Sequence, residues 1–515
     1  MTAGRCSPMR WHSSTAALSA SSSPSSSAEL VLASVKGGSD ETAITASLAK
    51  ALTAAYLGCF LFGYHMGVIN APLQEIASSL GFAASPAMQG RVVSSTLLGA
   101  FGGSLVGGGL ADLLGRRGAM QSNALLLAAA ALVCTLASST GVLLLGRLLA
   151  GIGIGISGSI VPLFVAECSL SSQRGRFGSF NQVAICVGVL AAIVAGLPIG
   201  GVASTSVSSF MGVPWWRVMF GISVVPALAQ IAVLALGKVK VKQASGPERS
   251  IAIESPRWLV RQKDRENDGI AIAKSLWGEN CAAELSELVS LASVPRSSGA
   301  SNGWRQLLGR RYWRGTVTGV LLFFFQQFAG INAVVFFSTK VFADAGLSSA
   351  VAASALVMVT NIMGTILAAS VVDKLGRKPL LVGSFGGMSA TMIAMAATLS
   401  TMGTAGGAST SFAGLVSLVF TVGYILSFSL GAGPIPSLLL GEMMPAEVRG
   451  KAASAAMASH WVCTFIVGQC FLSAAANFGT AAVYGAFGIV AALGSLFVAT
   501  AVPETKGAME KVDLN

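Results

Sequence analysis

Three uncharged amides interrupt an otherwise apolar, aromatic stretch: Gln326, Gln327 and Asn332 in FFFQQFAGINAVVFFSTK, Phe323 to Lys340. A buried amide without partners is costly, so each needs either protein partners or a polar ligand. An amide offers donors and an acceptor together, which suits a neutral molecule rich in hydroxyls. An ion would call for charge or a ring of carbonyls. Further uncharged polar residues stand inside apolar runs: Gln182, Asn361 and the pair His460–Trp461. Any one of these taken alone also reads as glue between helices. The 326–332 group reads more readily as a ligand site. On an unbroken helix, at roughly 100° per residue, Gln327 and Asn332 would not share a face. Gly330 lies between them and allows the helix to break, as happens at sites in the middle of a bilayer. The aromatics Phe323–Phe325 and Phe336–Phe337 either stack on apolar ligand faces and gate access, or are lipid-facing bulk.

The elements that hold these residues follow from composition. Of 515 residues, 53% are hydrophobic and 10% charged, against roughly 25% charged in a soluble domain. So little charge cannot cover a water-soluble fold. Apolar runs of about 20 residues alternate with short charged loops, the pattern of spanning α-helices rather than of a period-two β-barrel. The net charge of +12 reads as basic loops held on one side of a bilayer, not as a nucleic-acid surface. The eight cysteines are scattered without a CxxC pair and the three histidines lie far apart, so no disulfide framework, metal site or cofactor is expected. Residues 1–45 are rich in Ser and Ala, with Arg5 and Arg10 ahead of the first acid, Glu29. This is the composition of an organellar transit peptide, a plastid one because Ser outnumbers Arg. The plainer reading is a disordered tail.

The expected fold is an all-α membrane protein with twelve spans. Six lie near 51–71, 90–111, 119–138, 142–166, 177–200 and 216–237. Six more lie near 313–340, 348–372, 379–402, 412–441, 452–476 and 480–502. The two sets are repeats. GGLADLLGRR after the second span is echoed by ASVVDKLGRK after the eighth. ECSLSSQRGR after the fourth is echoed by EMMPAEVRGK after the tenth. The expected organisation is a leader 1–45, a six-helix bundle 46–237, an inward-side linker 238–312, a second bundle 313–502 and a tail 503–515. All four motifs fall in even-to-odd loops, where basic charge marks the inner side. Their acids and bases, Asp112, Arg116, Arg117, Glu167 and Arg174, with Asp373, Arg377, Glu442 and Arg449, are either topology charge or an ion-pair latch between helix ends. The mirrored placement favours the latch. GIGISG, Gly153 to Gly158, matches a dinucleotide fingerprint but lies within an apolar span. It reads as close helix packing.

FGYHMGVINAP (62–72), GRLLAGIGIG (146–155), ESPRWL (254–259), QQFAGIN (326–332), GAGPIPSLLLGE (431–442) and PETKG (503–507) occur in this order. With them, residues 50–510 resemble the sugar-porter branch of the major facilitator superfamily, and most of all its plastidic glucose transporters. The resemblance implies two pseudo-symmetric six-helix bundles and no enzymatic activity. It implies facilitated diffusion of a hexose, glucose first, by a monomer in the bilayer of the plastid inner envelope. It implies sugar contacts at Gln182, Gln326, Gln327, Asn332, Asn361, His460 and Trp461, and an inner charge network at the acids and bases above. Proton-coupled members carry an aspartate where this chain has His65, so proton symport is the second reading, and a non-transporting sugar sensor the third. The chain also departs from the family. Phe336 and Phe337 replace two tyrosines. Ser437 replaces a tryptophan, Ser429 a glutamate, Thr464 an asparagine and Ile253 a proline. KVKVKQASGPERSIAI before the ESPRWL motif looks inserted.

Overall fold

The computed structural model describes residues 44–199, 209–243, 246–262, 265–278, 281–293, 307, 309, 312–404, 410–444 and 446–505. The expected leader, apart from its last two residues, and the tail beyond Thr505 lie outside the described residues. So does the side chain of Asp373.

The first half holds α1 (Ala46–Gly67), short α2 (Leu73–Ser79), α3 (Pro86–Thr135), α4 (Thr140–Cys168), α5 (Arg174–Val194), α6 (Trp215–Ile222) and α7 (Val224–Leu236). A small hairpin, β1 (Ser209–Phe210) with β2 (Val213–Pro214), precedes α6. Helix starts follow capping rules. Thr45, Ser85 and Ser139 each accept a backbone N–H at the head of α1, α3 and α4, with Pro86 supplying the first turn of α3.

Between the halves the described residues form the β-hairpin β3 (Lys238–Gln243) with β4 (Gly246–Ala252) and the helices α8 (Pro256–Leu259), α9 (Glu266–Trp277) and α10 (Ala282–Ser293). The stretch that looks inserted in the sequence is this hairpin. The second half holds α11 (Trp313–Phe328), α12 (Ile331–Asp344), α13 (Ala350–Leu375), α14 (Arg377–Thr404), α15 (Thr410–Leu430), α16 (Ile435–Met443), α17 (Ala446–Phe478) and α18 (Thr480–Ala501).

Eleven segments among the described residues are long and apolar enough to cross a membrane. At 50 residues α3 is the longest. It would be about 75 Å end to end, more than twice the roughly 30 Å of a hydrocarbon core. Gly115, at φ 79°, breaks it where the sequence places the inner turn. The chain thus crosses twelve times, with the second and third expected spans joined through a kink. Three other spans are each made of two helices. The sixth divides at Ser223. The seventh divides at Gly330, as its sequence allows. The tenth divides across Gly431–Pro434, where glycine and proline interrupt the helical hydrogen-bond ladder.

Small residues set the closest packing. A Cβ on Gly99 would stand 2.1 Å from the Leu148 carbonyl oxygen, and one on Gly155 2.1 Å from that of Ala100. The GIGISG stretch therefore serves backbone-to-backbone contact of α4 with α3. The halves meet where α3 runs along α17 and α5 along α13.

Candidate functional site

The break at Gly330 (φ 97°) turns the start of α12 so that Asn332 reaches Gln327. A Cβ at Gly330 would lie 2.5 Å from the Phe487 ring, so glycine is needed there for space as well as for its left-handed backbone. Gln327 is saturated. Its Nε2 donates to Gln326 Oε1 (2.8 Å) and to His460 Nδ1 (2.8 Å), and its Oε1 accepts from Asn332 Nδ2 and from Thr464 Oγ1 (3.0 Å), whose one proton is shared with the His460 carbonyl (2.7 Å). An amide has two donors and two acceptor sites, and all four are used. Gln326 Nε2 donates to the carbonyls of Ala432 (2.5 Å) and Gly433 (3.3 Å). Those carbonyls are freed by the break in the tenth span, so one broken helix is satisfied by an amide from another.

All seven residues singled out as ligand contacts line one cavity of about 310 Å³ between the halves. Gln182 and Asn361 face it from α5 and α13. Gln182 Nε2 lies 3.5 Å from Cys186 Sγ, and Asn361 Oδ1 accepts from Ser429 Oγ at 2.7 Å. Two polar atoms at its wall are buried without a partner among the described residues: Trp461 Nε1, a donor, and Asn181 Oδ1, an acceptor. None of the lining side chains is charged. Phe62, Phe323 and Phe428 supply apolar faces, with Phe323 edge-on to His460 at 5.7 Å. Ser437 lines the wall too.

Of the other aromatics of the opening stretch, Phe324 is exposed on the helix surface, as the lipid-facing reading has it, whereas Phe336 and Phe337 do neither of the things their sequence suggested. Phe336 and Phe337 are 1% and 0% exposed, and Phe337 stacks on Phe471 at 5.1 Å. They pack the closed outer end, facing neither lipid nor the cavity. His65 is buried outside the cavity lining, with Arg147 donating to its backbone carbonyl at 2.9 Å.

The outer end is sealed by Asn70 of the first half. Its Nδ2 donates to the Val335 carbonyl (2.6 Å) and Ser338 Oγ (2.9 Å), while its Oδ1 accepts from the Thr339 N–H (3.1 Å). Val335 and Thr339 are i and i+4 on α12, so one amide side chain stands in for a helical backbone bond. Ser94 adds a further cross-half bond, to Gln469 Oε1 at 2.8 Å. Towards the inner side the cavity is bordered by Ser437 and Met457, both exposed.

At the inner end each half carries its own ion pair. Arg116 grips Glu167 with Nε (2.8 Å) and Nη2 (3.0 Å), and reaches Asp112 at 3.0 Å. Arg377 holds Glu442 at 2.9 Å. These two pairs join helix ends within one half. Arg117, Arg174 and Arg449 donate instead to the carbonyls of Leu234, Ala166 and Met444.

Two acids complete the arrangement. Glu254 accepts the backbone N–H groups of Arg116 (3.1 Å), Arg117 (3.0 Å) and Ser255 (2.8 Å). Glu504 accepts those of Arg377 (3.1 Å) and Lys378 (3.0 Å) in mirror fashion. Each binds the helix start exposed by the turning glycine, Gly115 or Gly376. Burial pushes the Glu254 carboxyl above its ordinary value, against the pull of these N–H groups and of Arg116. Sequence reading assigned no role to Asn70, Asn181, Glu254 or Glu504. The signals were present. Asn70 is an amide next to an apolar span, Asn181 neighbours Gln182, and Glu-Ser and Glu-Thr follow the last span of each half.

Comparisons agree with this architecture. Residues 50–512 match the family described as "Sugar (and other) transporter". The chain is 44% identical over 461 residues to plastidic glucose transporter 4 of Arabidopsis thaliana, covering 89% of this chain and 79% of that protein. It is 30% identical to the mouse solute carrier family 2 facilitated glucose transporter member 3, covering 90% and 92%. Its fold superposes on a partially occluded, inward-open structure of the xylose transporter XylE from E. coli with a TM-score of 0.72, at 26% identity, over 90% of this chain and 99% of that one. Twelve crossings in two halves around an uncharged, amide-lined cavity, together with a family match over nearly the whole chain, place this protein in the sugar transporter family, with the major facilitator fold.

Proposed function

We propose that the protein carries glucose and related hexoses across a membrane by facilitated diffusion, exposing one central cavity to each side in turn. The observation that carries this reading is the cavity itself: uncharged, lined by amides, an indole and aromatic faces, and sealed on the outer side by Asn70. Hydroxyls of a hexose would bond Trp461 Nε1 and Asn181 Oδ1, while Gln327 holds its neighbours in place. Facilitated diffusion is favoured over proton symport because no carboxylate among the described residues lines the cavity and His65 lies outside it. Each chain contains a whole cavity, so the monomer is the working unit. The plastid envelope is the favoured membrane. The Ser-rich leader and the printed name of the Arabidopsis relative both support it.

Glucose counterflow in proteoliposomes tests this. Counterflow indifferent to a proton gradient is expected. Accumulation against a glucose gradient, abolished by an uncoupler, refutes facilitated diffusion. Sugar binding without flux supports the sensor instead.

A further inference from the structure

A lysine face stands at the inner rim of the first half without an ion-pair partner among the described residues. α7 ends at Leu236, 77% exposed, and Gly237 leads straight into β3. In the hairpin Lys238 lies opposite Ala252 and Lys240 opposite Ser250. Strand alternation puts both lysines on one face and Val239 on the other. Val239 and buried Ile251 pack into the inner core, so the lysine face is turned away from the protein, and both lysines are exposed. Lys50, exposed near the start of α1, borders a crevice shared with Leu234, Gly237 and Ile253. The described residues show no ion pair for any of the three.

Topology alone needs loop charge, not a fixed display. Here the register holds the backbones of Lys238 and Lys240 about 7 Å apart along the strand, the first of them two residues past an apolar helix end. We propose that Lys238 and Lys240 bind the phosphate-bearing headgroup of an anionic phospholipid in the inner leaflet. The bilayer supplies such a group at this depth, and the apolar end of α7 lies beside its acyl chains. Glu254 follows β4 by two residues, so a headgroup seated on the hairpin also steadies the acid that holds the Arg116–Arg117 turn.

The test uses the full chain in mixed phosphatidylcholine and phosphatidylglycerol, with retained lipid read by native mass spectrometry and backbone exchange read over 238–243. A lysine near an anionic surface contributes roughly fivefold. The double variant K238Q/K240Q is therefore expected to lose roughly 25-fold of the preference for phosphatidylglycerol. Phosphatidylglycerol should slow hairpin exchange in the wild type and not in the variant. Glucose counterflow shows that the variant is folded. Equal phosphatidylglycerol preference in both proteins overturns the proposal. So does equal protection of the hairpin by soluble glycerol phosphate, which would remove the bilayer from the reading.

Discussion

Replacing Asn70 with alanine removes three hydrogen bonds that tie the turn after α1 to α12 across the outer end of the cavity. The usual penalty for orphaned buried groups is largely avoided, because the Thr339 N–H and Val335 carbonyl can then bond each other as an ordinary helical pair. What remains is the net worth of the lost bonds, roughly 0.5–1.5 kcal/mol each. With one bond re-formed, about 1–3 kcal/mol is removed from the outer-closed state. In an outer-open state Asn70 faces water in the wild type, so that state loses nothing comparable. Every 1.4 kcal/mol is about tenfold, so the equilibrium moves roughly 5- to 150-fold towards outward opening. Amide hydrogen exchange reads this directly: exchange across 335–344 should rise while inner helix ends become better protected. Asn70→Asp sharpens the test. A carboxylate can still accept from Thr339 but meets the Val335 carbonyl oxygen with another oxygen, and it also keeps that carbonyl from re-pairing. Asp should therefore open the outer end more than Ala. Unchanged exchange in Asn70→Ala, or Asp milder than Ala, would refute the argument that this amide replaces a helical bond.

Trp461→Phe keeps an aromatic ring but removes the cavity-wall donor that is buried without a partner among the described residues. Sugar affinity should fall about 2- to 13-fold, the worth of one net hydrogen bond, with the melting temperature unchanged; titration calorimetry and a thermal shift check the two halves. Gln327→Ala should behave differently. It removes four hydrogen bonds and leaves Gln326 Oε1 and His460 Nδ1 without their partner, so thermal stability should fall together with affinity. Gly155→Val should not yield folded protein, because the first added carbon already meets the Ala100 carbonyl at 2.1 Å; size-exclusion chromatography reads this. Burial raises the Glu254 carboxyl above 4.5, so the folded chain takes up that proton more readily than the unfolded one. Its contribution to stability is fully present below about pH 4.5 and falls as pH rises through the higher folded value. Glu254→Gln should flatten that part of a stability-versus-pH curve.

The sequence alone determined the membrane environment, since a chain with 10% charge cannot be solvated as a globule. It determined the duplication, because two loop motifs recur in one order. It also marked the cavity wall, because an amide in an apolar helix has few reasons to be there. What it could not supply was the hydrogen-bond partner of each amide, since partners lie far apart along the chain. Gln326 and Gln327 look equivalent as neighbours, yet one satisfies a broken helix 106 residues away and the other is saturated by four side-chain groups. Phe336 and Phe337 could not be placed, because period and hydropathy do not tell a lipid-facing ring from one sealed between helices. Asn70 could not be recognised as a seal, because its partners exist only when the halves close on the outer side. Composition and pattern are local properties of the chain. Which polar group meets which, and on which side the cavity is closed, are set by the packing of one half against the other, and only the tertiary structure decides them.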